Sequence, residues 1–306
     1  MMKNYYYILL LIAVLTMAAA TSCKKKNNEP PYSFTVGLLV DAAGLNDRSF
    51  NQATLEGIQH GAQQLPLYYE TKVGQSDSAY AAIIQYFIDQ KFDLVVAPGY
   101  LVAPSMVTAA KQNQATDFLL LDFAPDTLTP NLVCGVFDVD QDSFVCGFLA
   151  AYWALVKDPQ GPVAGYVGGP PVTVINQILV SYMARIDYFN KTYQKSVQPM
   201  GAHTANFTDS IQGGHLADSI INAGAEVIFA FAGIAGNGAL LQTKASGKWG
   251  IGMDSDQYLT YPEVQDILLT SCLKNLNNIV YLQLVNYYHD EFPGGTVIHG
   301  DLSNGE

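Results

Sequence analysis

From Phe34 almost to the C-terminus, short apolar runs alternate with amphipathic stretches, and that alternation leaves the chain few folds to choose from. Strand-length apolar runs fall at 34–40, 67–73, 93–98, 117–122, 131–137, 162–167, 196–200, 226–231, 248–253, 267–272 and 295–300. Helical patterns lie between them at 48–64, 77–90, 101–114, 141–157, 173–193, 209–222, 236–246 and 276–291. The order predicts an α/β protein with parallel sheets covered by helices on both faces. Eleven strands crowd a single open sheet, so two sheets of five or six are expected. Gly161-Pro162 restarts the pattern after a helix, which starts a second α/β unit at about 138–160. A chain of 306 residues is long enough for two such lobes, each with its own core.

Open α/β sheets bind ligands beyond the carboxyl ends of their strands, and those ends are where this chain keeps its polar residues. The first strand ends at Asp41 and opens into Asp41-Ala-Ala-Gly-Leu-Asn-Asp-Arg-Ser-Phe-Asn-Gln52, a loop and first helical turn. Later strands end in Ala97-Pro98-Gly99-Tyr100, Leu121-Asp122-Phe123, Gly168-Gly169-Pro170-Pro171 and Asp254-Ser255-Asp256-Gln257. Two sheets aiming these ends at each other would gather carboxylates, amides and aromatic rings in one cleft. That mixture suits a neutral, polar, ring-bearing ligand.

The charge balance narrows the partners. With 15 basic against 27 acidic residues the net charge is −12, which argues against nucleic acid or an anionic membrane surface. There is no P-loop, no His-Glu-x-x-His and no Gly-x-Ser-x-Gly, and the five histidines show no metal-ligand spacing. Gly233-x-x-Gly236-x-Gly238 after a strand imitates a dinucleotide fingerprint, but the glycine order is wrong. No catalysis, cofactor or metal is expected.

The N-terminus reads as an export signal. Lys3 precedes an apolar run from Tyr5 to Ala20, and Ala20-Thr21-Ser22-Cys23 is similar to a bacterial lipoprotein cleavage box. A plain transmembrane anchor is the other reading, for a run just short of spanning length. Residues 1–22 are therefore expected to be a signal peptide, with Cys23 lipidated and 23–33 a polar tether. The mature protein would sit in the cell envelope, lipid-anchored and facing the periplasm or the exterior. Cys134, Cys146 and Cys272 remain, an odd number that reads as buried thiols, with a Cys134–Cys146 disulfide as the alternative.

Further blocks, taken in order, extend the pattern: Asp140-Gln141…Ser143-Phe144…Gly147-Phe-Leu-Ala-Ala151, Gly165-Tyr-Val-Gly168-Gly169, Ala232-Gly233…Gly236-Asn237-Gly238, Ile251-Gly252-Met253-Asp254-Ser-Asp256-Gln257 and Leu269-Thr270-Ser271-Cys-Leu273-Lys274-Asn275. With Val40-Asp41…Gly44-Leu-Asn46-Asp47-Arg-Ser49-Phe50-Asn51-Gln52 they resemble the basic membrane protein family, purine-nucleoside-binding lipoproteins that serve nucleoside ABC importers. The resemblance covers residue 34 to about residue 300. It implies a type I periplasmic-binding-protein architecture, two lobes hinged by several crossing strands, with the ligand in the cleft. Lobe 1 would be 34–137 plus about 256–291, and lobe 2 about 138–255 plus 292–306. The implied function is capture of inosine, adenosine or guanosine by a monomer that closes on the ligand and delivers it to ABC permease subunits. Members continue past the point where this chain stops, Asp301-Leu-Ser-Asn-Gly-Glu306, so a truncated C-terminus or a dispensable last segment is expected. Other departures are Leu55 where relatives often have Trp, Cys146 where a small residue is common, and no basic residue after Asn206-Phe-Thr-Asp209.

Carried over by position, the resemblance makes Phe50 and Phe207 the rings that sandwich the base. Asp41, Asp122 and Asp254 become the carboxylates for its edge and the ribose, and Gly233 and Lys274 complete the pocket. Stacking contributes roughly 1–3 kcal/mol per base face. Each residue has a plainer reading beside this one. Phe50 could pack into the core of the first helix, Asp122 could be a turn residue before Pro125, and Asp254 could be a helix N-cap. Lys274 is expected both to meet ligand and to pair with these carboxylates. Asn46, Asp47 and Ser49 are secondary candidates, Asp47 reading first as a cap for helix 48–64. A nucleotide would bring negative charge into a cleft of three carboxylates opposed by one lysine, so an uncharged ligand is expected. The alternatives are the same fold holding a sugar or another small polar metabolite, a nucleoside-processing enzyme, or a sensor ectodomain.

Overall fold

The computed structural model describes residues 31–301; the expected signal peptide, Cys23 and most of the tether lie outside them, as do residues 302–306. The strands are β1 (Phe34–Val40), β2 (Leu67–Val73), β3 (Leu94–Pro98), β4 (Asp117–Leu121), β5 (Leu132–Phe137), β6 (Val163–Gly168), β7 (Gln198–His203), β8 (Ala225–Phe231), β9 (Trp249–Asp254), β10 (Leu268–Leu273) and β11 (Val297–Gly300). Between them run α1 (Phe50–Gln64), α2 (Asp77–Asp89), α3 (Ala103–Gln112), α4 (Val139–Lys157), α5 (Thr173–Tyr193), α6 (Ser210–Asn222), α7 (Gly233–Ala245), α8 (Gln257–Thr260) and α9 (Leu276–Tyr288). Every strand and helix expected from the apolar pattern between residues 34 and 300 is present, with ends shifted by a turn or less. The pattern missed α8 and the 3₁₀ turn Pro262–Ile267, which are too short to show a period.

The strands form two sheets, in the orders β11-β5-β4-β3-β1-β2 and β10-β9-β8-β6-β7. All described pairings are parallel. Helices α1 and α9 pack together against the first sheet, and α2 with α3 against its other face. In the second sheet α4 and α5 form one cover and α6 and α7 the other. Inner strands such as β3 are buried along their whole length, as helices on both faces require. The edge strands β2 and β7 are half exposed instead. Where α6 meets α7 there is no room for side chains. A Cβ at Gly213 would strike the Ala235 carbonyl, and one at Gly238 the Ser210 carbonyl. The last glycine of the false dinucleotide pattern thus serves helix packing.

The expected lobe boundaries are corrected at two strands. β10 lies beside β9 in the second sheet, although 256–291 is expected in the first lobe. β11 lies beside β5 in the first sheet, although 292–306 is expected in the second. The reason is local: 255–267 makes a compact crossover that lays β10 next to β9, whereas β5 offers β11 an open edge. Only α9, packed on α1, keeps the later part of 256–291 with the first sheet. Among the described residues the chain passes between the sheets at Phe137–Val139 and at Leu273–Leu276.

Cys134, Cys146 and Cys272 are buried free thiols. Burial pushes the Cys134 thiol up to about 12. Cys146 is raised by its hydrogen-bonded neighbour Cys272 and by burial. With Cys134 and Cys146 both free, the alternative pairing has no counterpart here.

Candidate functional site

The carboxyl ends of both sheets border one cavity, with about 650 Å³ of empty space once its open mouth is included. Asp41, Phe50, Asp122, Phe207, Gly233, Asp254 and Lys274 all line it. Asp41 follows β1, Asp122 follows β4, and Asp254 ends β9. Lys274 stands at the second crossing between the sheets.

Lys274 organises the charge. Its Nζ is 2.9 Å from Asp122 Oδ2 and 3.6 Å from Asp254 Oδ1, with only 4% of the side chain exposed. Burial alone would push its ammonium down, but the two carboxylates outweigh that and hold it above its ordinary value. One cation between two carboxylates leaves a net negative charge out of water. Burial accordingly raises the Asp122 carboxyl; Lys274 offsets part of this, and Asp254 adds to it. Both aspartates are held in the left-handed region, at φ 62° and 68°, a conformation L-residues avoid outside special positions. The same Lys274 ammonium lies 5.2 Å from the centre of the Phe50 ring, within cation–π range.

The two phenyl groups reach the cavity from opposite sheets. Phe50 opens α1 and rests against Gly99, where an added Cβ would sit 3.2 Å from Cε1. Phe207 lies in the loop between β7 and α6. Asn206 shapes that loop, its Oδ1 accepting from the Thr208 and Asp209 N–H groups, and Asp209 caps α6 through Gln212 N. Gly169 gives the ring room, since a Cβ there would overlap Phe207. Gly233, at φ 57°, lets α7 start beside the Phe207 carbonyl, which accepts from Ala235 N at 3.0 Å. The Tyr100 ring meets Phe207 edge-on across the sheets, centroids 6.1 Å apart.

The secondary candidates separate. Asn46 is exposed and outside the cavity lining. Asp47 lines the cavity and also caps α1, its carboxylate accepting from the N–H groups of Ser49, Asn51 and Gln52. Burial pushes it up to about 6 against those three donors. Ser49 turns away from the cavity and donates to Asp254 Oδ2 at 2.6 Å.

Two of the lining residues with polar side chains had no assigned role. Asn51 donates Nδ2 to Asp41 Oδ1 at 2.8 Å and to the Gly44 carbonyl at 3.1 Å; both neighbours accept, so the amide orientation is set. Its Oδ1 is buried, with no hydrogen-bond partner among the described residues. An orphaned buried acceptor beside a cavity is costly unless a ligand donates to it. Tyr100 is the other. Both stood in quoted stretches, Asn51 directly after Phe50 and Tyr100 at the end of β3, and the strand-end rule could have nominated either. Val174, Ile175 and Ile178, one face of α5, supply an apolar wall.

The cavity is thus lined by two phenyl rings and an apolar helix face, and apart from Lys274 its polar side chains are mainly acceptors. The sequence and fold comparisons agree with a small-molecule receptor. A family profile described as ABC transporter substrate-binding protein PnrA-like matches residues 34–306. The ABC transporter nucleoside-binding protein BmpA of Lactococcus lactis is 28% identical over 286 residues, covering 88% of this chain and 79% of that one. A CD4+ T-cell-stimulating antigen of Listeria monocytogenes is 28% identical over 287 residues, covering 88% and 78%. Basic membrane protein B of Borreliella burgdorferi is 26% identical over 281 residues, covering 88% and 79%. Among solved structures, an ABC transporter solute-binding protein from Aeropyrum pernix superposes with a TM-score of 0.83 at 22% identity, over 89% of this chain and 75% of that one. Two parallel α/β lobes meeting at a strand-end cavity, and a profile match running from the first strand to the last residue, lead to one assignment: the chain belongs to the Bmp family of PnrA-like ABC transporter substrate-binding proteins.

Proposed function

We propose that this protein captures purine nucleosides for its ABC importer, closing its lobes on a base stacked between Phe50 and Phe207. The carrying observation is that both rings, three strand-end carboxylates and Lys274 border a single cavity reached from both sheets. In this reading Asn51 Oδ1 and Asp41 accept from the N–H groups of the base edge. Asp254 and the Asp122–Lys274 pair take the ribose hydroxyls through charge-assisted hydrogen bonds. With Asp41, Asp47, Asp122 and Asp254 around one lysine, a phosphate would enter against like charge, so the ligand is a nucleoside or base rather than a nucleotide. The name of the Lactococcus relative supports the ligand class. The protein acts as a monomer without chemical conversion of its ligand, tethered through a lipid on Cys23 in the cell envelope.

Isothermal titration of residues 31–306 with inosine, adenosine, guanosine, cytidine, uridine and ribose tests this. Saturable heat with the purine nucleosides, weaker or absent with pyrimidines and ribose, is expected. Heat with ribose alone moves the ligand to the sugars, and silence with all six removes the proposal. Metabolic labelling with a fatty acid, abolished by Cys23→Ala, tests the anchor.

A further inference from the structure

Two of the three buried thiols belong together. Cys146 and Cys272 lie in one continuous apolar core with Val139, Ala150 and Met253, whereas Cys134 faces a different core, among Met106, Phe118 and Leu120. Cys146 is on α4, which opens the second lobe directly after the Phe137–Val139 crossing. Cys272 is near the end of β10, the lobe's last strand, just before the Leu273–Leu276 crossing. Helix α4 packs on β10. Its Ser143, one turn before Cys146, places Oγ 3.7 Å from Cys272 Sγ, and the Cys146 thiol is the other hydrogen-bond neighbour of that sulfur. Among these three thiols, the two that already touch are the pair that disulfide geometry favours.

We propose that Cys146 and Cys272 are a disulfide site, which an external disulfide oxidises to a bond joining the first helix of the second lobe to its last strand, while Cys134 stays a thiol. The pairing accounts for the odd cysteine count as one bond and one inert thiol. The ring it closes runs through every strand of the second sheet, and a cross-link over so long a loop removes much of the unfolded chain's freedom. It also braces the strand end from which Lys274 reaches the cavity. The chemistry is thiol–disulfide exchange: one cysteine thiolate attacks the external disulfide, releasing a thiol and forming a mixed disulfide. The second cysteine attacks the sulfur of the first and expels the other thiol. Two S–H bonds are lost and one S–S bond forms, and two electrons and two protons leave with the reduced partner. Its hydrogen bond with Cys272 and burial keep the Cys146 thiol protonated in the folded lobe. Exchange therefore takes place before the lobe closes over the pair, or when β10, an edge strand, peels away. The proposal rests on the envelope location for its natural oxidant and not on the nucleoside reading.

The test incubates the full-length reduced protein with equimolar oxidised and reduced glutathione, in denaturant just below its unfolding transition so that both thiols become accessible. The protein is then unfolded with a maleimide, and Cys134, Cys146 and Cys272 are mapped by peptide mass. A peptide linked through Cys146 and Cys272, lost on reduction, is expected, with Cys134 outside the link. The linked protein should melt about 5–10 °C above the reduced one, and Cys272→Ala should melt alike in both conditions. The linkage is read on wild type, so it decides the site whether or not the variant folds. Maleimide or glutathione on all three cysteines overturns the site, as does a link that includes Cys134. A bond that forms without raising the melting temperature overturns its bracing role. No ligand enters the test, so failure of nucleoside binding leaves its result standing.

Discussion

Two polar clusters bridge the lobes, and they are built on opposite principles. Around the cavity one buried lysine faces several carboxylates, two of which stand at left-handed strand ends, and an amide oxygen has no partner among the described residues. At the Arg48 turn, the Arg48 carbonyl accepts from the Ser255 and Thr260 hydroxyls and the Asp47 carbonyl from the Asn237 amide. The first cluster carries net charge and one unmet acceptor, Asn51 Oδ1. The second is complete already. Both clusters link the same two sheets, yet only the one around the cavity leaves a buried polar atom unpartnered among the described residues.

The largest break in that contrast is expected from Lys274→Met. Removing the cation leaves Asp122 and Asp254 buried and facing each other, a loss of about 3–5 kcal/mol of stability. Denaturant unfolding reads it, and a variant as stable as wild type would mean the cavity is not held by charge pairing.

Next comes pH. Asp47 is raised from 3.8 to about 6 in the folded chain, so the folded state keeps its proton where the unfolded state has released it. The resulting stabilisation is full below pH 3.8 and is lost as pH rises to about 6. Wild type should therefore lose about 2–3 kcal/mol relative to Asp47→Asn across that window, whatever the constant offset between them. Parallel stability curves for the two proteins would show that the three N–H donors, not burial, govern this carboxylate.

Ligand binding should respond more modestly. Phe50→Ala and Phe207→Ala are each expected to weaken nucleoside binding by about 1–3 kcal/mol, roughly 5- to 150-fold. Calorimetry on each single variant and on the pair tells a sandwich, with both costs present, from a single stacking face. Asn51→Ala is the smallest, about 0.5–1.5 kcal/mol, because one hydrogen bond to the base edge is lost. If binding of adenosine and inosine is untouched in Asn51→Ala, the orphaned oxygen does not meet the base.

Much of this site could be read from strand ends alone. Asp41, Asp122 and Asp254 each follow an apolar run, and the rule that ligands gather at the carboxyl ends of parallel strands brings them together without coordinates. Phe50 and Phe207 were readable only through the ordered resemblance, since a phenyl group near a helix start looks the same whether it enters a core or lines a cleft. Asn51 escaped because its importance lies in which way its amide faces, and that is decided by Asp41 and Gly44 together. The lobe boundaries failed at β10 and β11 because an apolar run announces a strand but not its neighbour.

The alternation of apolar period already determined two parallel α/β sheets and which residues stand at their ends, since period and turn chemistry are local properties of the chain. Tertiary structure alone decided that Lys274 serves Asp122 and Asp254 at once, that β11 returns to the first sheet, and that the Arg48 carbonyl crosses the cleft. Asp122 and Lys274 are separated by 152 positions, and Arg48 and Thr260 by 212. Pairings of that range arise from the packing of one folded body on another, which no period in the sequence encodes.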